Sequence, residues 1–126
     1  MQVLVDTSIW VDYFKNGLNS GKLDEILDDN CLFTNDIVLA ELIPFLMIKK
    51  QYKIVDLLRN IPLLPLKIDW AEIIQWQVAC LTAGINGIGI PDLIIAQNSK
   101  QNRSAIYSLD KHFRLLNQVI DIPLVE

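Results

Sequence analysis

The sequence has few cysteines, no excess of positive charge and no long apolar run. Cys31 and Cys80 lack the spacing of a metal site, so we expect two reduced core residues in a cytoplasmic protein. The net charge of −4 excludes nucleic-acid binding by electrostatic attraction alone. The longest apolar stretch ends at Lys49 and Lys50, too soon to span a bilayer, and we expect no membrane partner.

The 126 residues, 52% of them hydrophobic, predict a single domain over residues 1–126 with its own core. Short apolar segments alternate with helical patterns. Strands are predicted at residues 2–5, 31–33, 63–68, 104–109 and 119–124, and helices at 7–16, 22–28, around Glu41, at 51–60, after Asp69, after Pro91 and at 110–116. This alternation predicts an α/β fold with a small, mainly parallel sheet flanked by helices, and such sheets bind ligands at the carboxyl ends of their strands.

Glu41 is the only charged residue between Ile37 and Ile48. The run is apolar almost all round a helix, so burial of this carboxylate is expected, and Pro44 is expected to kink or divide the helix. A buried carboxylate must be protonated, paired or bound to a metal. An ion pair with a basic residue of another helix, or a less buried helix, are the alternatives.

Three aspartates stand where strands and helices are predicted to meet. Each alone is explained by helix capping or by the helix dipole. Asp6 and Asp110 end predicted strands, however, and Asp92 lies in the first turn of a helix, so one edge of the sheet is expected to collect them with Glu41. Clustered carboxylates repel unless a cation neutralises them, and Mg²⁺ prefers oxygen ligands. The pattern predicts metal-dependent hydrolysis of phosphodiester bonds.

Four motifs occur in order between residue 3 and about residue 113: Val-Leu-Val-Asp6-Thr7-Ser8-Ile-Trp, then Glu41 in an apolar helix, then Ile-Pro-Asp92-Leu-Ile-Ile-Ala, then Ser-Leu-Asp110-Lys-His-Phe. In this order and at this spacing they resemble the PIN-domain ribonucleases, and more closely the VapC-type toxins of bacterial toxin–antitoxin pairs. The resemblance implies a PIN-like fold and an endoribonuclease that requires Mg²⁺, with Mn²⁺ as a substitute. It also implies an RNA substrate, a homodimer and a cognate antitoxin that occludes the site.

The same resemblance assigns roles to residues. Asp6, Glu41 and Asp92 match the core acids of the family, and Asp110 matches its more variable fourth acid. Thr7 or Ser8 matches the hydroxyl that orders the first loop, and Ser108 stands where many relatives have threonine. We expect Asp6 and Asp92 to hold the metal directly or through water. Glu41 and Asp110 are expected to hold a second ion, to orient the attacking water or to act through other ligands.

Several other residues carry weaker expectations. His112, the single histidine, is expected at the surface of a short helix. Arg103 and Arg114 are hypothesised to hold the RNA backbone, because they lie near the last acids in sequence. Trp10 and Phe14 are expected to share one helix face, which fits either the core or an antitoxin groove. Trp76 is expected on a partner surface, because it lies away from the apolar face of its helix, which is formed by Trp70, Ile73, Ile74, Val78 and Leu81.

Three other classes of protein share parts of this pattern. A phosphoacceptor domain carries paired acids after its first strand, but Val5 precedes Asp6 here. A haloacid-dehalogenase-like phosphatase carries Asp-x-Asp, and Ser8 occupies the second position. Both are disfavoured, which leaves a non-catalytic metal- or RNA-binding module of PIN-like fold as the alternative to a nuclease.

Overall fold

The structure is a computed structural model and describes residues 1–125. Its elements are β1 (Val3–Val5), α1 (Thr7–Lys15), α2 (Leu23–Asp28), β2 (Leu32–Phe33), α3 (Asp36–Ile48), α4 (Tyr52–Arg59), α5 (Trp70–Thr82), α6 (Ile90–Gln101), β3 (Ala105–Tyr107) and α7 (Lys111–Leu116). The strands form a parallel sheet in the order β2-β1-β3. The α/β class with a small parallel sheet and flanking helices is therefore confirmed.

The central strand β1 is buried along its whole length, as its apolar sequence predicts for a parallel strand covered on both faces. Val3 pairs with Leu32 on one side and with Ala105 on the other. Beyond the strand, the Asp6 amide donates a 2.9 Å hydrogen bond to the carbonyl of Tyr107. The carboxyl ends of β1 and β3 therefore lie side by side.

Helix α3 differs from its prediction. Asn35 caps it through a 3.0 Å bond from the Val38 amide, and Pro44 lies inside the helix without dividing it. Its apolar character is not a sign of complete burial, because Phe45 and Ile48 are 58% and 82% exposed. The helix packs one side on the core and presents an apolar outer face to solvent.

Two predicted strands do not form. Residues 63–68 and 119–124 contribute only isolated parallel bridges, Leu63 with Thr34 and Leu124 with Ile106. Pro65 and Pro123 interrupt these segments, and a residue without an amide hydrogen cannot donate a hydrogen bond to a neighbouring strand. The ordered sheet is consequently narrower than the sequence suggests.

The buried face of α5 also differs from its prediction. Ile73 and Cys80 are buried, and Trp76 packs against the core. Trp76 is thus not a free partner surface. The exposed apolar residues of this helix are instead Trp70, Ile74, Val78 and Leu81. No helix within residues 1–125 is long and apolar enough to cross a membrane.

Buried amides connect the helices beneath the sheet edge. Asn35 Nδ2 donates a 2.9 Å bond to Asn98 Oδ1, and Asn98 Nδ2 donates to the carbonyls of Leu64 and Pro65. Both asparagines are almost fully buried, so these bonds satisfy groups that would otherwise be costly to bury. The network fixes the start of α3 against α6, the helices that carry Glu41 and Asp92.

Candidate metal centre

Asp6 is the one buried acid within residues 1–125. It is 6% exposed and caps α1 at the end of β1. Its Oδ2 accepts 2.8 Å hydrogen bonds from both Ser8 Oγ and Ser108 Oγ. These bonds use one carboxylate oxygen and leave Oδ1 available for a ligand, which is the arrangement expected of a fixed acid in a cation site.

The two serines also fasten the loop that follows β3. Ser8 Oγ accepts from the Leu109 amide and Ser108 Oγ accepts from the Asp110 amide, both at 2.9 Å. The hydroxyls lie 3.2 Å apart. Ser8 and Ser108 therefore connect the loop after β3 to Asp6, and the role of Thr7 or Ser8 in ordering the first loop stays a prediction.

Asp92, Asp110 and His112 form a second group. Asp110 caps α7 through a 2.9 Å bond from the His112 amide to Oδ1, and Asp92 lies in the first turn of α6. His112 Nδ1 lies 3.2 Å from Asp110 Oδ1 and 3.4 Å from Asp92 Oδ2. The ring faces the acids while 31% of its side chain is exposed, so the histidine expected at the surface also lies beside the acidic edge. The Asp-x-His spacing at a helix start was the available signal.

Glu41 lies on the exposed side of α3, so the expected burial is wrong. Within residues 1–125 it forms no ion pair with lysine or arginine, and Thr7 Oγ1 donates a 3.1 Å bond to its Oε1. Partial loss of hydration raises the pKa of Glu41, the Thr7 bond opposes this, and the charges of the three aspartates raise it further. Glu41 is therefore directed at the same acidic edge.

The pKa of Asp92 is also raised, first by burial and then by the charge of Asp110. The charge of His112 acts in the opposite direction, and that of Asp6 adds a smaller upward contribution. The negative charges of Asp92, Asp110 and Asp6 are thus only partly neutralised by His112. A hard divalent cation with oxygen ligands fits this donor set and would relieve the repulsion.

The two arginines lie in different places. Arg114 lines a cavity of about 440 Å³ together with Asp110, Ser108 and Asn117. Arg103 follows the end of α6 and precedes β3, so it lies at the opposite edge of the sheet from the acids. Because α6 is about 18 Å long at 1.5 Å per residue, Arg103 lies far from Asp92, and its contact with the RNA backbone stays a prediction.

The fold and its edge define an α/β protein with a braced carboxylate cluster at the carboxyl ends of a parallel sheet. The family model of the PIN domain matches residues 3–118, and the chain belongs to this family. The resemblance to the PIN-domain family that the four sequence motifs predict is therefore confirmed. A sequence comparison with curated proteins gives no match.

Solved structures of similar fold extend this result. VapBC2 from Rickettsia felis, bound to a DNA fragment from its promoter, matches with a TM-score of 0.77 and 19% identity over 99% of this chain and 98% of the other. DNA-bound VapBC from Salmonella typhimurium gives 0.75 and 17%, over 99% and 97%. VapC20 from Mycobacterium tuberculosis, a toxin that cleaves the sarcin-ricin loop, gives 0.66 and 14%, over 97% and 99%. At these identities the likeness shows a common fold.

Proposed function

We propose that this chain, as one PIN-like domain over residues 1–126, is a divalent-cation-dependent endoribonuclease and the toxin of a toxin–antitoxin pair. The observation that carries the proposal is the braced acidic edge. Asp6 is fixed by two serine hydroxyls, while the pKa values of Glu41 and Asp92 are raised first by burial and then by the charges of neighbouring acids. The RNA-cleaving VapC20 shares the fold, which supports ribonuclease activity as the chemistry of this edge.

The acids divide the work according to their surroundings. Asp6 and Asp92 would hold Mg²⁺, or Mn²⁺ in its place. Asp6 is held by a hydrogen bond from Ser8, and the pKa of Asp92 is raised by burial and by nearby acids whose charge a cation would neutralise. Such a cation supplies an activated water and stabilises charge on a phosphoryl group. Glu41 and Asp110 would orient the water or hold a second ion. Thr7 and Ser8 keep Glu41 and Asp6 in place.

An antitoxin partner is proposed for the groove between α1, α3 and α4. This cavity of about 590 Å³ has an apolar lining that includes Val11, Phe14 and Phe45, and it reaches Thr7 and Glu41 at the acidic edge. Phe14 stacks on the buried Trp10 at 5.8 Å, so the groove has a firm wall. A segment bound there would block access to Glu41.

A homodimer is proposed through the exposed apolar face of α5. Trp70, Ile74 and Val78 are each more than half exposed, and contiguous apolar surface of this kind commonly marks an interface. The proposal places the protein in the cytoplasm, where RNA is available and where the free thiols of Cys31 and Cys80 stay reduced.

The proposal is tested by RNA cleavage with wild type, Asp6→Asn and Asp92→Asn, with and without EDTA. Asp56→Asn is the matched control, because Asp56 is an exposed acid on α4. Wild type and the control are expected to cleave only with Mg²⁺ or Mn²⁺, and the two site variants to lose at least about a hundredfold in rate. Equal cleavage by all four proteins would contradict the proposal.

The alternative is a non-catalytic metal- or RNA-binding module with the same fold. It gains support if wild type binds Mn²⁺ and RNA but yields no product under conditions in which a known PIN nuclease cleaves. The identity of the RNA target is then determined by binding rather than by cleavage.

A further inference from the structure

The imidazole of His112 faces two carboxylates from different elements. Its Nδ1 lies 3.2 Å from Asp110 on the start of α7 and 3.4 Å from Asp92 on the start of α6. One ligand atom from each residue falls in a group whose members all lie within 4.8 Å of one another. No other group of three such ligands occurs within residues 1–125.

These separations match those of atoms bound to one metal ion. With bonds of about 2.1 Å, two ligands lie about 3.0 Å apart at an octahedral angle and about 3.4 Å apart at a tetrahedral angle. The distances from His112 Nδ1 to the two carboxylate oxygens fall in or at the end of this interval. The two distances from His112 are therefore compatible with ligands of one metal ion.

A glycine loop lies near the opposite side of the ring. A Cβ on Gly87 would lie 4.0 Å from His112 Nε2, and Gly87 has a φ of +86°, which favours glycine. Gln77 Nε2 donates a 2.9 Å bond to the carbonyl of Ile88 and holds this loop against α5. The loop therefore lies beside the ring on the side of Nε2, away from the acids.

We propose that Asp92, Asp110 and His112 form a metal position with one nitrogen ligand, which takes Co²⁺, and to a smaller extent Mn²⁺, in preference to Mg²⁺. Imidazole is a poor ligand for Mg²⁺ and a good one for later divalent metals. The inference deepens the proposed metal centre, and its tests use no RNA. Asp6 is not one of the three ligands of this position.

The first test is pulsed EPR of Mn²⁺ bound to the untagged protein, made with ¹⁴N- or ¹⁵N-histidine. The chain has one histidine, so a histidine-nitrogen coupling is assigned without ambiguity. We expect that coupling in wild type and in Asp6→Asn, a change of signal with the isotope, and loss of the coupling in His112→Gln. Bound Mn²⁺ without histidine-nitrogen coupling in wild type would overturn the proposal.

The second test compares Co²⁺ and Mg²⁺ affinities by calorimetry. His112→Gln is expected to weaken Co²⁺ binding by at least about tenfold and Mg²⁺ binding by less than about twofold, because only the nitrogen ligand is lost. Lys111→Gln, next to it on α7, is expected to change the two affinities equally. If His112→Gln weakens both ions equally, the histidine only positions the acids through hydrogen bonds and the proposal is wrong.

Circular dichroism of each variant establishes that it is folded before either test. Nitrogen coupling in a protein that does not cleave RNA would remove the proposed function and leave this metal position standing. Metal-dependent cleavage without nitrogen coupling would support the proposed function and overturn this metal position.

Discussion

Thr7 Oγ1 donates a 3.1 Å hydrogen bond to Glu41 Oε1, which joins the first turn of α1 to the middle of α3 across 34 residues. The bond lowers the pKa of Glu41, yet partial desolvation outweighs it and the neighbouring aspartates act in the same direction as desolvation. Glu41 is thus held at the rim of the acidic edge although its charge is unfavourable there. This arrangement is expected of a group that serves a cation rather than the fold.

Glu41→Gln is expected to stabilise the metal-free protein at pH 7. The folded-state pKa values of Glu41 and Asp92 lie above their ordinary values of 4.5 and 3.8, so the folded protein binds more protons than the unfolded chain. Stability therefore falls as pH rises from the ordinary towards the raised values. Removing one charge recovers at most about 1 kcal/mol, because solvent screens a partly exposed carboxylate. Urea unfolding between pH 3 and pH 8 measures the difference.

The same variant is expected to equal wild type near pH 3, where both carboxyls are protonated, and to bind Mn²⁺ more weakly at pH 7. Glu25→Gln, an exposed acid on α2, is the control and is expected to do neither. Destabilisation by Glu41→Gln at every pH would instead make Glu41 a structural residue.

Mg²⁺ or Mn²⁺ is expected to raise the melting temperature of wild type, and EDTA to reverse the rise. A cation that binds only the folded state at a hundred times its Kd stabilises by about 2.7 kcal/mol. Asp92→Asn is expected to start from a higher melting temperature in EDTA and to gain less from the ion, since the raised pKa of Asp92 marks repulsion in the metal-free site. Asp56→Asn is expected to follow wild type. An equal metal response in all three proteins would argue against the site.

The positions of the aspartates are readable from the sequence because the signals are local. Asp6 directly follows β1, Asp110 follows β3 after two further residues, and each caps the next helix, while parallel strands bring their carboxyl ends to one edge. Asp92 follows a proline that favours the first turn of a helix. The fold class follows from the same alternation of segments.

Which face of a helix is buried was harder to predict. Helices α3 and α5 are apolar on more than one side, so periodicity alone does not select the side that meets the core, and Glu41 and Trp76 were misplaced for this reason. The contact between Ser8 and Ser108 joins residues 100 positions apart and depends on strand order. The distance of Arg103 from the acids could not be read from its closeness in sequence to Asp92, because α6 lies between them.

Ser108→Ala is expected to loosen the acidic edge, whereas Ser108→Thr is expected to preserve it. The Ser108 hydroxyl donates to Asp6 Oδ2 and accepts from the Asp110 amide, so alanine removes two bonds and threonine retains the group that makes them. We expect alanine to cost about 1.5–3 kcal/mol of stability, as for hydrogen bonds to a charged group. Cleavage should fall by about tenfold to a hundredfold, as acids shift from their positions. Equal loss with threonine would show that the volume at this position matters more than the hydroxyl.

Arg114→Gln is expected to weaken RNA binding, and Arg103→Gln is expected to leave it unchanged. Arg114 shares a cavity with Asp110 next to the acids, while Arg103 lies at the opposite edge of the sheet, so the two substitutions remove the same charge at different distances from the site. If Arg114 contacts one phosphate, its loss reduces the slope of log K against log salt by about 0.7 for single-stranded RNA. This slope is measured by filter binding at salt concentrations from about 50 to about 300 mM. Each arginine substitution is made in an Asp6→Asn background, in which the RNA is not expected to be cleaved. Equal slopes for both arginine variants would contradict a contact between Arg114 and RNA. Each substitution changes the net charge of −4 by the same amount, whereas a contact at the site depends on where the arginine lies.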